Sequence, residues 1–140
     1  MLKKKIDFRK VERKVIGGRV NRLRLEAMNI VHGIVSRTQR GKDVKLRGFK
    51  SYKADYAKYR AKHGRDKSVN LTYSGRMLGA INSKKIPLGL RFYFASKSET
   101  DKATWNQKTR RFFGIDKIQI KYLKKSLIKE SLMLKELLIL

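Results

Sequence analysis

The sequence predicts an α+β fold: a long N-terminal helix, short middle helices, a small antiparallel β-sheet and a long C-terminal helix. Two patterns carry this prediction. Apolar residues recur every three or four positions from about Lys10 to Gln39, and again from about Lys117 onward, as on one stripe of a helix. Apolar and polar residues alternate from Leu90 to Ala95, as in a half-buried strand. The length of 140 residues suits one domain over 1–140, with residues 1–9 expected to be flexible.

The first helix is predicted from its apolar stripe and its ending. The stripe consists of Ile16, Val20, Leu23, Ala27, Val31 and Ile34. Gly41 follows the last periodic residues and is expected to cap the C-terminus, because glycine adopts the left-handed conformation without strain. Residues 41–50 then predict a basic loop.

Two short helices are predicted in the middle of the chain. Ser51 is expected to cap the first, in which Tyr52, Tyr56 and Tyr59 fall on one side and which His63-Gly64 ends. Ser74 is expected to cap the second.

The sheet and the last helices follow. Residues 81–86 and 89–96 predict a hairpin joined by Pro87-Leu88-Gly89. Ser98 is expected to cap a short helix. Asp116 is expected to cap the closing helix, whose main stripe consists of Ile120, Leu123, Leu127, Leu134 and Leu138.

The charge of the chain predicts a polyanionic partner. Lys and Arg number 37 against 11 Asp and Glu, which gives a formal net charge of +26. A hydrophobic content of 41% still supplies a core, so the composition is not that of a disordered chain. Self-repulsion destabilises a compact monomer of this charge, and nucleic acid, an acidic protein surface or an anionic membrane would each neutralise it. No apolar run reaches the roughly 18 residues of a membrane span, so we expect no membrane-spanning helix.

The residues of catalytic and metal sites are scarce. The chain has no cysteine, and its two histidines lack zinc-motif spacing. Neither a nucleophile elbow nor a phosphate-binding glycine loop is present. The sequence therefore predicts no enzyme, no catalytic residue, no metal site and no cofactor.

Aromatic residues alternate with basic ones in RGFKSYKADYAKYRAKHGR, residues 47–65. Such sets contact phosphates and stack bases. The spacing of four and three between Tyr52, Tyr56 and Tyr59 also fits the core-facing side of an amphipathic helix, and this second interpretation is preferred.

The segment TRRFFGID, residues 109–116, predicts the turn that seats the closing helix. Phe112 and Phe113 would anchor it, Gly114 would allow a tight backbone, and Asp116 would cap the helix. Arg110 and Arg111 would then face solvent, a neighbouring subunit or a lumen. A base-stacking role for the two phenylalanines is the less favoured alternative.

Three segments, in order, resemble the virion morphogenesis proteins of tailed phages, which are tail-completion or head–tail neck components. They are NLTYSGRML (residues 70–78), LRFYFAS (90–96) and WNQKTRRFFGID (105–116). The resemblance runs from about residue 52 to residue 125. The chain departs from the pattern at Trp105, where histidine is frequent, at Arg111, where proline is usual, and at Asp116, which replaces Ser or Thr.

The resemblance implies a structural virion protein at the head–tail neck, made in the host cytoplasm. It would form a homo-oligomeric ring, six-fold by preference with twelve-fold left open, that joins other neck, connector or tail proteins around the DNA path. Candidate contacts with DNA or an acidic partner are Arg40, Lys42, Lys45, Arg47, Lys84, Lys85, Arg110 and Arg111. Residues 127–140 are the candidate inter-subunit helix, through Leu127, Leu132, Leu134, Leu137 and Leu138. The alternative is a sequence-independent nucleic-acid-binding protein, associated with packaging or with the ribosome.

Overall fold

The computed structural model describes residues 8–86 and 89–139, with side-chain surroundings for 22–86, 90–126, 128 and 129. Its elements, in chain order, are α1 (Phe8–Gln39), α2 (Ala54–Lys62), α3 (Arg76–Gly79), β1 (Ile81–Ile86), β2 (Gly89–Phe94), α4 (Lys97–Thr109) and α5 (Lys117–Ile139). Helices and a two-stranded antiparallel sheet confirm the predicted α+β class.

The core forms where α1 meets α3, β1 and α4. Its buried members are Ile30, Ile34, Met77, Leu78, Ile81, Ala103 and Phe112. Ala27 and Ile34 of the predicted stripe are buried, while Leu23 and Val31 are half-buried. Ile30 was not in the predicted stripe but is buried at 4% exposure. The side chains of Ile16 and Val20 lie outside the described residues.

The hairpin confirms the two predicted strands and the alternation predicted for the second, which ends at Phe94 and not at residue 96. β1 and β2 pair antiparallel with Ile81 opposite Phe94 and Ile86 opposite Gly89. Phe92 and Phe94 pack against the core, whereas Arg91 and Tyr93 face outward. The predicted turn residues Pro87-Leu88 lie outside the described residues.

The serines predicted to cap α2, α3 and α4 are not the caps. α2 begins after Lys53 without a side-chain cap, and Ser51 lies in the preceding loop, where the Arg110 guanidinium donates to the carbonyls of Lys50 and Ser51. α3 begins after Gly75, which is left-handed at φ 75°.

The N-cap of α4 is Ser96, not Ser98. Its Oγ accepts a hydrogen bond from the Glu99 N–H at 3.3 Å, as expected of a Ser-x-x-Glu pattern. Ser98 lies inside the helix.

The predicted helix C-terminus at Gly41 is confirmed, since Gly41 is left-handed at φ 73°. Gly64, at φ 65°, follows α2 in the same way.

α5 packs antiparallel on α1 through polar side chains and Leu123. Gln119 donates to the Ile30 carbonyl at 3.0 Å, and Ser126 donates to Glu26 at 2.6 Å. The predicted stripe is wrong at Ile120, which is 43% exposed, because the packed face runs through Gln119, Leu123 and Ser126 instead. The side chains of Leu127, Leu132, Leu134, Leu137 and Leu138 lie outside the described residues. Within the described part of the chain, no helix has the length and apolar character to cross a bilayer.

Candidate functional site

The turn before α5 is a packing anchor, as predicted for Phe112 and Phe113. Phe112 is fully buried, and the Phe94 ring lies 6.4 Å from Phe112 and 5.1 Å from Phe113, centre to centre. Gly114 has φ 155°, and a Cβ there would come within 2.9 Å of the Val44 methyl group. This turn therefore requires glycine at position 114 and supplies no free aromatic face at Phe112 for base stacking.

Asp116 caps α5 as predicted and also forms a buried ion pair that the sequence did not indicate. Its Oδ1 accepts from the N–H groups of Ile118 and Gln119 at 2.8 and 2.9 Å, and its Oδ2 accepts from Arg37 at 2.6 Å. Gln119 Oε1 accepts from the Asp116 N–H in return, which completes a capping box. Arg37 also donates to the carbonyls of Phe112 and Gly114.

The surroundings of Asp116 keep its carboxylate charged. Burial by itself raises the pKa of the carboxyl group, but the hydrogen bonds from the Gln119 N–H, the Arg37 guanidinium and the Ile118 N–H outweigh burial. The pKa of Asp116 therefore lies below its ordinary value.

The basic loop after α1 is held in one shape by Asp43. Its Oδ1 accepts from the N–H groups of Lys45 and Arg47, and its Oδ2 accepts from the Arg47 guanidinium at 2.9 and 3.1 Å. Burial raises the pKa of Asp43, but these hydrogen bonds from Arg47 and Lys45 lower it overall. The Val44 N–H donates to the Arg111 carbonyl at 2.8 Å, so the loop lies against the turn before α5.

The structure places the eight predicted basic contacts in three settings. Arg40, Lys42, Lys45, Arg47 and Arg111 are exposed on or beside this loop. Lys84 and Lys85 are exposed on β1, where the Lys84 ammonium lies 5.7 Å from the Tyr93 ring centre. Arg110 is half-buried, donates to the Lys50 and Ser51 carbonyls and covers the Tyr52 ring at 4.9 Å. The predicted set is therefore not one patch.

A groove of about 680 Å³ lies between α2, the segment before α3, and α4. Its aromatic lining is Tyr52, Tyr56, Tyr73 and Trp105, and its basic lining is Lys50, Lys53, Arg60, Lys102 and Arg110. Met77 and Leu71 contribute apolar lining, and Glu99 contributes the groove's acidic group.

The preferred interpretation of the tyrosines as core-facing is wrong. Tyr56 and Tyr59 are 41% and 47% exposed, and Tyr52 is half-buried. The Tyr56, Tyr59 and Tyr73 rings lie nearly parallel, at 6.3 Å between the first two and 6.4 Å between the last two. The reason is Arg60, which is 1% exposed and occupies the inner side of α2 that the tyrosines were expected to fill.

Arg60 joins α2 to the segment before α3. Its guanidinium donates to the Asp66 and Thr72 carbonyls and to the Asn70 side chain, at 2.9 to 3.2 Å. It also lies 5.0 Å from the Tyr52 ring centre and 5.9 Å from that of Tyr73. Arg60 therefore positions the aromatic wall of the groove, and its charge is already satisfied by the protein.

Glu99 is the unsatisfied group in the groove. The residue is 9% exposed, its Oε1 accepts from Lys102 at 2.8 Å, and its Oε2 has no hydrogen-bond partner. Its capping-box position would have let it bond back to the Ser96 N–H, yet the carboxylate binds Lys102 instead. A buried oxygen without a partner costs free energy unless something else donates to it.

Sequence reasoning did not select Glu99, Arg60, Trp105 or Arg37. Trp105 appeared only as a departure from a motif, although at 73% exposure it is a free aromatic surface. Among the described residues, no group of three or more histidines or carboxylates could hold a metal ion.

Comparisons of the chain with protein-family models, with curated proteins and with solved structures found no match.

Proposed function

We propose that this chain is a structural virion protein of a tailed phage, which assembles into a ring at the head–tail neck around the DNA path. The observation that supports assembly is a set of apolar side chains left in solvent on the paired helices α1 and α5. The motif resemblance supplies the location in the neck. The net charge of +26 suits a ring that surrounds a polyanion.

The exposed apolar side chains occur as neighbours on each helix. Ile118 and Tyr122 are 58% and 73% exposed and lie one turn apart on α5. Leu25 and Met28 are 59% and 68% exposed and lie three residues apart on α1. Single exposed apolar residues are common, but neighbouring pairs on both helices provide a surface that a second copy would cover. Heterologous contact between copies closes into a ring when the rotation between them allows it.

Light scattering on the purified chain tests assembly. The wild type is expected to form a fixed multiple of the 16.4 kDa chain, and the double substitution Ile118→Glu with Tyr122→Glu is expected to shift it to monomer. The matched control is Lys117→Glu with Lys121→Glu, which has the same spacing on the same helix and also makes the chain less basic. A monomeric wild type at every salt concentration, with or without duplex DNA, would count against the proposal.

The second candidate function is sequence-independent nucleic-acid binding by the free protein. It is favoured by the exposed, rigid loop with Lys42 and Lys45 beside Arg111, which suits contact with backbone phosphates. The affinity for duplex DNA is expected to fall less steeply with salt in a double Lys42→Gln and Lys45→Gln variant than in the wild type. The slope of log affinity against log salt concentration should decrease by the equivalent of about two phosphate contacts. Equal affinity and slope in wild type and variant would remove this loop from the interface.

A further inference from the structure

We propose that the groove between α2 and α4 binds an unpaired nucleobase of single-stranded nucleic acid, with Glu99 as the acceptor that selects bases carrying an amino group. The proposal extends the second function above, in which the polymer reaches the surface through its phosphates. Phosphate contacts alone need only a basic surface, whereas binding of a base requires a groove with aromatic walls.

The lining of the groove decides the class of ligand. Besides Glu99, the charged groups that line it are Lys50, Lys53, Arg60, Lys102 and Arg110. The surplus of positive charge disfavours a cationic ligand, although aromatic side chains beside a carboxylate would otherwise suit one. An anionic ligand with a flat, apolar part fits both the cations and the rings. A nucleotide has this combination in its phosphate and its base.

Some of the aromatic side chains in the groove are exposed enough to stack a base, and others are covered by arginines. Trp105 is 73% exposed on α4, and Tyr56 is 41% exposed on α2, on the other side of the groove. Tyr52 is less available, because it is half-buried and Arg110 covers its ring. Tyr73 and Tyr56 are similarly exposed, and the Arg60 guanidinium lies 5.9 and 6.0 Å from their ring centres. Trp105 is therefore the principal group expected to stack a base, with Tyr56 on the other side of the groove.

Glu99 supplies the selection. Glu99 lines the groove, and its Oε2 is a buried oxygen without a partner. A donor that enters the groove would satisfy this oxygen if the Glu99 side chain turns toward it. Cytosine and adenine carry exocyclic amino groups that donate to a carboxylate. The donor of an unpaired thymine is its N3–H, which lies between two carbonyl oxygens that repel a carboxylate. The groove is therefore expected to prefer cytosine and adenine over thymine.

Binding of labelled homopolymers tests the proposal. Anisotropy is measured with single strands of dC, dA and dT of about 15 nucleotides, a length within the usual range of single-strand sites. We expect dC and dA to bind the wild type about ten-fold more tightly than dT, as for one hydrogen bond to a charged group. Glu99→Gln is expected to reduce this preference to about two-fold, because the amide oxygen is a weaker acceptor than a carboxylate and the amide N–H can donate to a thymine carbonyl.

Two further variants separate stacking from charge. Trp105→Ala and Tyr56→Ala are each expected to weaken binding of dC by about ten-fold. Tyr93→Ala is the matched control, because Tyr93 is an equally exposed tyrosine beside a lysine, Lys84, that lies outside the groove. Trp105→Ala removes a side chain that is mostly in solvent, so its effect is interpretable even if Tyr56→Ala lowers stability.

The outcomes distinguish base binding in the groove from phosphate binding elsewhere on the surface and from binding of an acidic protein. Equal binding of dC and dT by the wild type, or equal loss in Trp105→Ala and Tyr93→Ala, would overturn the base site and leave salt-dependent phosphate binding in place. Displacement of dC by poly-glutamate as readily as by unlabelled dC would also overturn it and would point to an acidic protein partner. A base preference that depends on Glu99 and Trp105 supports it, whatever the oligomeric state.

Discussion

We expect substitution of Asp116, which forms a buried ion pair with Arg37, to lower the free energy of unfolding by several kcal/mol. Asn in place of Asp116 keeps the shape of the side chain and an oxygen that caps α5, but it removes the charge that faces Arg37. Arg37 is 2% exposed and Asp116 is 6% exposed, so the remaining guanidinium would be a buried charge without its counter-ion. Removing one partner of such a pair costs about 3–5 kcal/mol.

The structure places the expected loss at the low end of that range. Arg37 would still donate to the Phe112 and Gly114 carbonyls and to Gln119. We therefore expect Asp116→Asn to lower the free energy of unfolding by about 3 kcal/mol. Asp116→Ala also loses the cap and is expected to lower it by about 4 kcal/mol.

Urea unfolding followed by circular dichroism at pH 7 measures both losses. Asp101→Asn is the matched control, because Asp101 is an exposed carboxylate on α4, and its substitution is expected to change stability by less than about 0.5 kcal/mol. A loss below about 1 kcal/mol for Asp116→Asn would refute the assignment of Arg37 as a buried charge that depends on Asp116.

Three further predictions concern the same fold. Gly33→Ala is expected to destabilise the protein by about 1–2 kcal/mol in urea unfolding, because a Cβ there overlaps the Gln119 amide that donates to the Ile30 carbonyl. Gly79→Ala is the control, because Gly79 has open space around it, and this substitution is expected to be neutral or stabilising. Equal effects of the two substitutions would refute the packing argument. Arg60→Met is expected to cost about 2–4 kcal/mol by leaving backbone carbonyls without donors, and a stability equal to wild type would contradict its role in joining α2 to the next segment. The lowered pKa of Asp116 means that its stabilisation is present above the unfolded pKa of about 4 and is lost as the pH falls toward the folded pKa. The difference in stability between wild type and Asp116→Asn should therefore shrink between pH 5 and pH 2, roughly the range of this titration, and a constant difference would contradict the shift.

The sequence by itself determined the elements whose signals are local. The periodicity of α1, the alternation in β2, the ending at Gly41 and the cap at Asp116 depend on residues within a few positions of one another, and the structure confirms them. The anchoring role of Phe112 was also predicted from neighbouring residues, because two phenylalanines that precede a glycine and a capping aspartate indicate a turn packed on the core.

Only the tertiary structure decided which polar groups are buried and which aromatic rings are free. Arg37 meets Asp116 across 79 positions of the chain, and no periodic pattern encodes that distance. The spacing of Tyr56 and Tyr59 correctly puts them on one side of α2, whereas Tyr52 lies before the helix begins. Spacing does not say whether that side faces the core. Arg60, with its three hydrogen bonds to the segment before α3, takes the inner side and leaves Tyr56 and Tyr59 in solvent. The groove exists because α4 lies opposite this wall, and that is a property of the packing of distant segments.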